Sequence, residues 1–208
     1  AEPELPDLLA EVERLAADLG REGDLIDIYR GVADDVMAAD LQRRLYLDIA
    51  DLALAVRDDA SLARTFYQKV LDQQPDDRRA LGALEGIYRR GGDVKALYDV
   101  LGLKVELVSD PMEKLAALSE VGALASGPID RPDDAINAWE QVLELNPSRT
   151  DAVAALDQLY RRERRWHEVV DLYERRMGFA VNIDEAVALR IKLGEVQGHQ
   201  LENRATAV

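Results

Sequence analysis

One stretch of this chain is written twice. Residues 63–90, ARTFYQKVLDQQPDDRRALGALEGIYRR, return at 135–162 as AINAWEQVLELNPSRTDAVAALDQLYRR. Without any gap the correspondence spans 63–122 and 135–194, with fourteen of sixty positions identical at an offset of 72. The identities include Ala63/Ala135, Val70/Val142, Leu71/Leu143, Pro75/Pro147, Ala80/Ala152, Leu84/Leu156, Tyr88/Tyr160, Arg89/Arg161 and Gly122/Gly194, and Tyr67/Trp139 keeps an aromatic. Self-similarity at a fixed period is the mark of a stacked array. A single repeat cannot bury its own apolar stripe, so each copy supplies the cover that its neighbour lacks.

The unit reads as four helices. Ala, Leu, Glu and Arg dominate, while Val, Ile and Thr are sparse, which favours helix over strand. Leu81, Leu84 and Tyr88 form one stripe at three- to four-residue spacing before GGD interrupts it. Val94, Leu97, Leu101 and Val105 form the next, up to SDP, where Ser109 or Asp110 can cap and Pro111 suits the first helical position. Leu115, Leu118, Val121 and Ala125 follow, then a turn at SGPIDRPDD, then Ala135, Trp139 and Val142 up to Asn146-Pro147. Pro147 cannot continue that helix but can open the next. Tyr67, Tyr88, Trp139, Tyr160 and Tyr173 fall on these stripes and read as core.

The spacing Ala135-x3-Trp139-x2-Val142-x4-Pro147, repeated as Ala63-x3-Tyr67-x2-Val70-x4-Pro75, resembles the second helix of the tetratricopeptide repeat. Gly122 and Gly194 sit where that family places a small residue for close helix approach. Glu85 and Asp157 depart from the family pattern by replacing a small residue, and only alternate hairpins end in Pro. The resemblance implies a right-handed α-solenoid of about eleven helices in one array, with hairpins near 8–39, 42–75, 77–109, 112–147 and 149–182 and an unpaired helix near 184–200. At the N-terminus the pattern is weaker: Val12, Leu15, Ala16 and Leu19, then Ile28 and Val32, form the first hairpin, and Tyr46, Ile49, Ala50 and Ala53 open the second. A kindred family, the half-repeat of RNA-processing scaffolds, shares the aromatic-rich helix pair, but Pro75 and Pro147 favour the first resemblance.

Composition narrows the function classes. The net charge of −15 sets the chain against phosphate backbones and anionic membranes, and no apolar run reaches the length of a spanning helix. There is no Cys, and the two histidines, His167 and His199, match no catalytic or metal motif, so the reading is non-enzymatic, with no metal and no cofactor. Two features stand out. Arg89-Arg90 recurs as Arg161-Arg162, with Arg165 close behind, a local basic cluster on an acidic chain that also complements helix dipoles. Gly82, Gly86, Ala154 and Gln158, with Ala83, Ser119, Ala123 and Ala155, make a smooth face on the first helices. The resemblance implies that this concave face grips a partner peptide, helix or domain, with the arginines as anion clamps. Family members that hold acidic chaperone tails carry Lys and Asn there, and this chain does not. The expectation is a scaffold for a protein partner, cytoplasmic, and a piece of a longer protein able to self-associate through its C-terminal end. A structural spacer is the alternative.

Overall fold

The computed structural model describes residues 5–179 and 183–206. Among these, eleven α-helices follow one another: α1 (Leu5–Leu19), α2 (Glu22–Val32), α3 (Ala39–Arg57), α4 (Ala60–Gln73), α5 (Arg78–Gly91), α6 (Val94–Leu107), α7 (Pro111–Ser126), α8 (Pro132–Leu145), α9 (Thr150–Arg162), α10 (Trp166–Met177) and α11 (Ile183–Thr206). A short 3-10 turn, Ala33–Asp35, follows α2, and no strand occurs among the described residues. The chain is all-α and divides between Asp93 and Val94 into two compact units, the first holding α1–α5 and the second α6–α11.

The 72-residue period of the side chains is also a period of the backbone. α2, α6 and α10 start at 22, 94 and 166; α3, α7 and α11 start at 39, 111 and 183; α4 and α8, and α5 and α9, keep the same offset. The left-handed residues obey it too. Gly20, Gly92 and Arg164 share one repeat position at φ 63, 69 and 57°, and Asp58 and Asp130 share another at φ 51°. The turn bonds around them match: Asp59 N–H to Ala53 O at 2.8 Å and Arg131 N–H to Ala125 O at 2.9 Å. Glycine takes this conformation freely and Asp tolerates it. Arg164 has neither advantage and is held there against a cost of about 1 kcal/mol by the packing of the helices on either side.

Helix starts follow from local chemistry. Asp59, Asp77 and Asp110 accept backbone N–H bonds from Leu62, Ala80 and Met112. Pro111 and Pro132 occupy the first turns of α7 and α8, where the missing N–H is harmless. Pro147 does not open a helix. α9 starts later, at Thr150, and Arg149 N–H bonds Asn146 O at 3.2 Å, closing a turn with Pro147 at its second position. Gln74, Pro75 and Asp77 build the same turn ahead of α5, with Asp77 N–H to Gln74 O at 3.1 Å.

The core of the first unit is Ile26, Tyr29, Leu45, Ile49, Ala50, Ala53, Ala63, Tyr67, Val70, Ala80 and Leu84, all essentially inaccessible. That of the second includes Leu101, Leu118, Ala125, Ala135, Val142, Ala152, Leu156, Tyr160, Val169, Leu172 and Tyr173. Tyr88 and Trp139 are buried as the stripes require. The N-terminal hairpin corrects the sequence reading: Leu15, Leu19 and Ile28 are exposed, and Leu9, Ala16, Leu25, Ile26 and Tyr29 fill the contact instead. α1 has leucines on several sides, so periodicity favours the bulkier ones. The interface takes small Ala16, on the side from which Glu13 reaches the Tyr29 hydroxyl at 2.7 Å.

Between α7 and α8 the packing is tight at one point. A Cβ on Gly122 would lie 2.7 Å from the Trp139 ring, inside van der Waals contact. The equivalent pair in the first unit is Ala50 with Tyr67, a larger small residue against a smaller ring, both buried. Gly122→Ala is therefore expected to destabilise by about 1–2 kcal/mol, an overpacking cost of about 1–3 kcal/mol less the better helix propensity of Ala. In a Trp139→Tyr background the same change is expected to be neutral or stabilising. Urea denaturation of the four proteins checks this, and additive effects would contradict it. At the third copy of the position, Gly194 is exposed and no side chain comes within 4 Å, so the close approach inferred for it is not made among the described residues.

Candidate partner-binding surface

The arginines singled out by repetition are tied into their own units. In the first, Arg89 pairs with Glu85 one turn earlier at 2.8 Å. In the second, Arg161 Nε donates to Asp157 Oδ1 at 2.6 Å, the same pair one period on. The Glu85 and Asp157 departures are thus the carboxylates that hold Arg89 and Arg161. Asp157 also accepts from the Tyr173 hydroxyl at 2.7 Å, and Arg161 reaches that hydroxyl at 3.2 Å. Burial raises the Tyr173 phenol above its ordinary value, and the Tyr173 and Asp157 contacts raise Arg161. Two periods earlier Glu13 and Tyr29 make the equivalent bond at 2.7 Å, and burial together with Glu13 drives that phenol upward. Arg162 lies 3.4 Å from Asp130 and donates to Glu163 at 3.0 Å. Arg165, entering α10, pairs with Asp133 of α8. Arg90 is exposed at the end of α5. The pairings lower the net positive field that a polyanionic ligand needs.

The small residues are where the sequence places them. Gly82 is exposed and Gly86 half-buried on α5; Ala154 and Gln158 are exposed on α9. Their surroundings differ between the units. In the first, the adjoining faces of α1, α3 and α5 carry a ladder of charge. Glu13 meets Arg44 at 3.0 Å, Arg44 meets Asp48 at 3.4 Å, and Asp51 accepts from both Arg79 and the Tyr67 hydroxyl. Burial raises the Asp48 carboxyl above its ordinary value, against the lowering effect of Arg44. At the outer edge of α3, burial and Asp34 push Tyr46 up to about 12, while Lys69 and Tyr46 hold the Asp34 carboxyl low.

One period on, the cations of this ladder are gone: Arg44 is replaced by Ala116 and Arg79 by Asp151, Asp51 becomes Ala123, and Glu13 and Asp48 stay acidic as Glu85 and Glu120. Beside Ala123 a cavity of about 240 Å³ lies between α7, α8 and α9, lined by Ala123, Ser126, Trp139, Ala155, Gln158, Leu159 and Arg162. Its floor is the edge of the Trp139 indole, whose N–H points at Ser126 Oγ, 3.4 Å away. Gln158 and Arg162 come together there, whereas Ala154 and Arg161 lie outside the lining. Ser126, Trp139 and Leu159 were not legible as lining residues, since each reads as helix end or core. The exchange of Asp51 for Ala123 is the sequence signal that falls on the lining.

Other chemistry is sparse. His167 is exposed at the start of α10, and the side chain of His199 lies outside the described residues. Among the described residues no group of three His, Asp or Glu is placed to hold a metal ion, and no helix is long and apolar enough to cross a membrane.

Residues 152–182 match the family model described as tetratricopeptide repeat, a span that covers α9 and α10. Among solved structures, MamA protein is 23% identical over 79% of this chain and 86% of its own, at a TM-score of 0.45. PilF of Pseudomonas aeruginosa is 20% identical over 89% of this chain and 88% of its own, at 0.42. YrrB, described as a TPR protein with an unusual peptide-binding site, is 17% identical over 79% and 91%, at 0.42. Comparison with curated proteins gave no match. The 72-residue period and paired helices make the chain an all-α protein of repeated helical hairpins, and its α9–α10 pair matches the tetratricopeptide repeat.

Proposed function

We propose that this chain is a non-enzymatic protein–protein interaction module, and that its second unit holds a helical or apolar segment of a partner protein in the cavity between α7, α8 and α9. The observation that carries this reading is the small and apolar lining of the α7–α9 cavity over the edge of the Trp139 indole. In the first unit Glu13, Arg44, Asp48, Asp51 and Arg79 line a charged cavity of about 310 Å³. The α7–α9 cavity shares one repeat position with it, 51/123, where Ala stands for Asp, and is otherwise lined by small and apolar residues with Gln158 and Arg162 at its edge. Apolar lining with a few fixed polar groups is what a recognition groove needs. The pairing of Arg161, Arg162 and Arg165 with acids of their own unit favours an apolar or helical ligand over a polyanionic one.

A photo-crosslinking residue at Ala123 or Gln158 tests it. One protein is expected to be captured from either position, and Ala123→Arg, at an exposed site, is expected to abolish capture while leaving the melting temperature unchanged. No crosslinked protein from either position, or capture indifferent to Ala123→Arg, would leave the chain as a spacer.

A further inference from the structure

α11 carries two apolar stripes. Leu189 and Val196 are buried and Ala186 and Leu193 half-buried along the side packed against α10. On the other side Ile183, Val187 and Ile191 recur every fourth residue and are 80%, 50% and 58% exposed. Gly194 and Gly198 continue that line, also exposed. A helix apolar on two sides is built for two partners.

The chain itself shows what covers such a stripe. α3 and α7 occupy the same repeat position as α11, and each is covered by the helix after it. On α7 the stripe is Leu115, Leu118 and Gly122, all buried, and Trp139 of α8 seats its ring on Gly122. On α3 the buried Tyr46 and Ala50 stand at the equivalents of Leu118 and Gly122, against α4 with Tyr67. Both covering helices carry a small residue four before the aromatic: Ala63 before Tyr67, and Ala135 before Trp139. On α11, Val187 stands for Leu115, Gly194 for Gly122, and exposed Arg190 for Leu118. The socket that Trp139 fills at Gly122 is open at Gly194.

We propose that the outer face of α11 is a docking site for an amphipathic helix of a partner protein with the pattern small-x3-aromatic and a carboxylate one turn after the aromatic. The aromatic ring seats on Gly194 as Trp139 does on Gly122. Arg190 fixes the rest of the motif. It lies one turn toward the N-terminus of α11 from Gly194, which in an antiparallel pair faces one turn toward the C-terminus of the covering helix. In α8 that place holds apolar Val142, suited to Leu118; a helix covering Arg190 needs Asp or Glu there to avoid burying an unpaired cation. None of the cavity residues between α7, α8 and α9 takes part, so this site and the proposed function stand or fall separately.

The test uses the whole chain and a fluorescent peptide of its own residues 131–147, stapled between positions 137 and 141 so that helix formation is not the limiting cost. Two versions are compared, one with Val142 and one with Val142→Glu. Fluorescence anisotropy is expected to show saturable binding of the Glu version, weakened about tenfold or more by Val187→Asp or Ile191→Asp and by Gly194→Leu, which fills the socket. All three positions are exposed, so the melting temperatures of the variants should stay at the wild-type value. In Arg190→Leu the preference should reverse toward the Val version, reproducing the Leu118 arrangement. Absence of saturable binding by either peptide, or binding unmoved by the Val187 and Ile191 changes, overturns the site. Failure of Arg190→Leu to reverse the preference overturns the carboxylate requirement.

Discussion

Trp139→Ala is expected to lower the stability of the second unit by about 3–5 kcal/mol, the usual loss for truncating a large buried aromatic. Trp139 is only 7% exposed, and its ring rests on a residue with no side chain. Gly122 offers nothing that can move into the space left behind, and the nearby lining is Ala123, Ala155 and Ser126, all too short to fill it. A site that cannot collapse keeps its cavity, which places the loss toward the upper part of that range. Repeat proteins add their stability unit by unit, so amide exchange should accelerate first in α7, α8 and α9. Urea denaturation with hydrogen exchange checks both parts. A loss below about 1 kcal/mol would mean that the Gly122–Trp139 contact is not the organising contact of this hairpin.

The second large effect is at Asp77, a charged side chain that is 6% exposed. One carboxylate oxygen accepts the Ala80 N–H at 2.9 Å and caps α5, while the other meets Arg43 of α3 at 3.0 Å. Asp77→Ala removes a cap worth about 1 kcal/mol and a charge-assisted bond worth about 1.5–3 kcal/mol. Arg43 is one-third exposed and regains water, which trims the total to about 2–3 kcal/mol. Asp77→Asn keeps the capping oxygen and should lose less than half of that. Asp59→Ala, which removes the Leu62 N–H cap of α4, should cost about 1 kcal/mol. Equal losses for Asp77→Ala and Asp59→Ala would show that the Arg43 contact contributes nothing.

Much of this arrangement was readable before any coordinates. The copied sentence placed the helices in register because a stripe such as Leu81, Leu84 and Tyr88 admits one buried face, and Gly, Pro and Asp mark where backbone bonding must break. Asp110 capping α7 and Pro111 in its first turn followed directly from local rules. The failures have physical causes. Leu15 and Leu19 were assigned to a core that takes Ala16, because periodicity weighs side-chain size and packing also weighs how closely two helices can approach. Repetition of Arg89 and Arg161 did not reveal the bond within each helix, to Glu85 and Asp157, that repeats with them. The α7–α9 cavity was only half visible, since its floor belongs to a residue that every rule assigns to the interior.

The backbone period has a bearing on how such a chain can change its length. Within each unit, extensive helix contacts run between consecutive helices, and the turns at Asp58 and Asp130 have the same shape. A copying event that joins one of these turns to the other inserts or deletes 72 residues while helix starts and turn shape stay in register. The side chains at the seam would still have to be refitted, since a deletion sets Trp139 against Ala50 where it now rests on Gly122. Arg164, holding the backbone shape of Gly20 and Gly92 without their freedom, shows how far such copies can drift in sequence while the joint itself stays interchangeable.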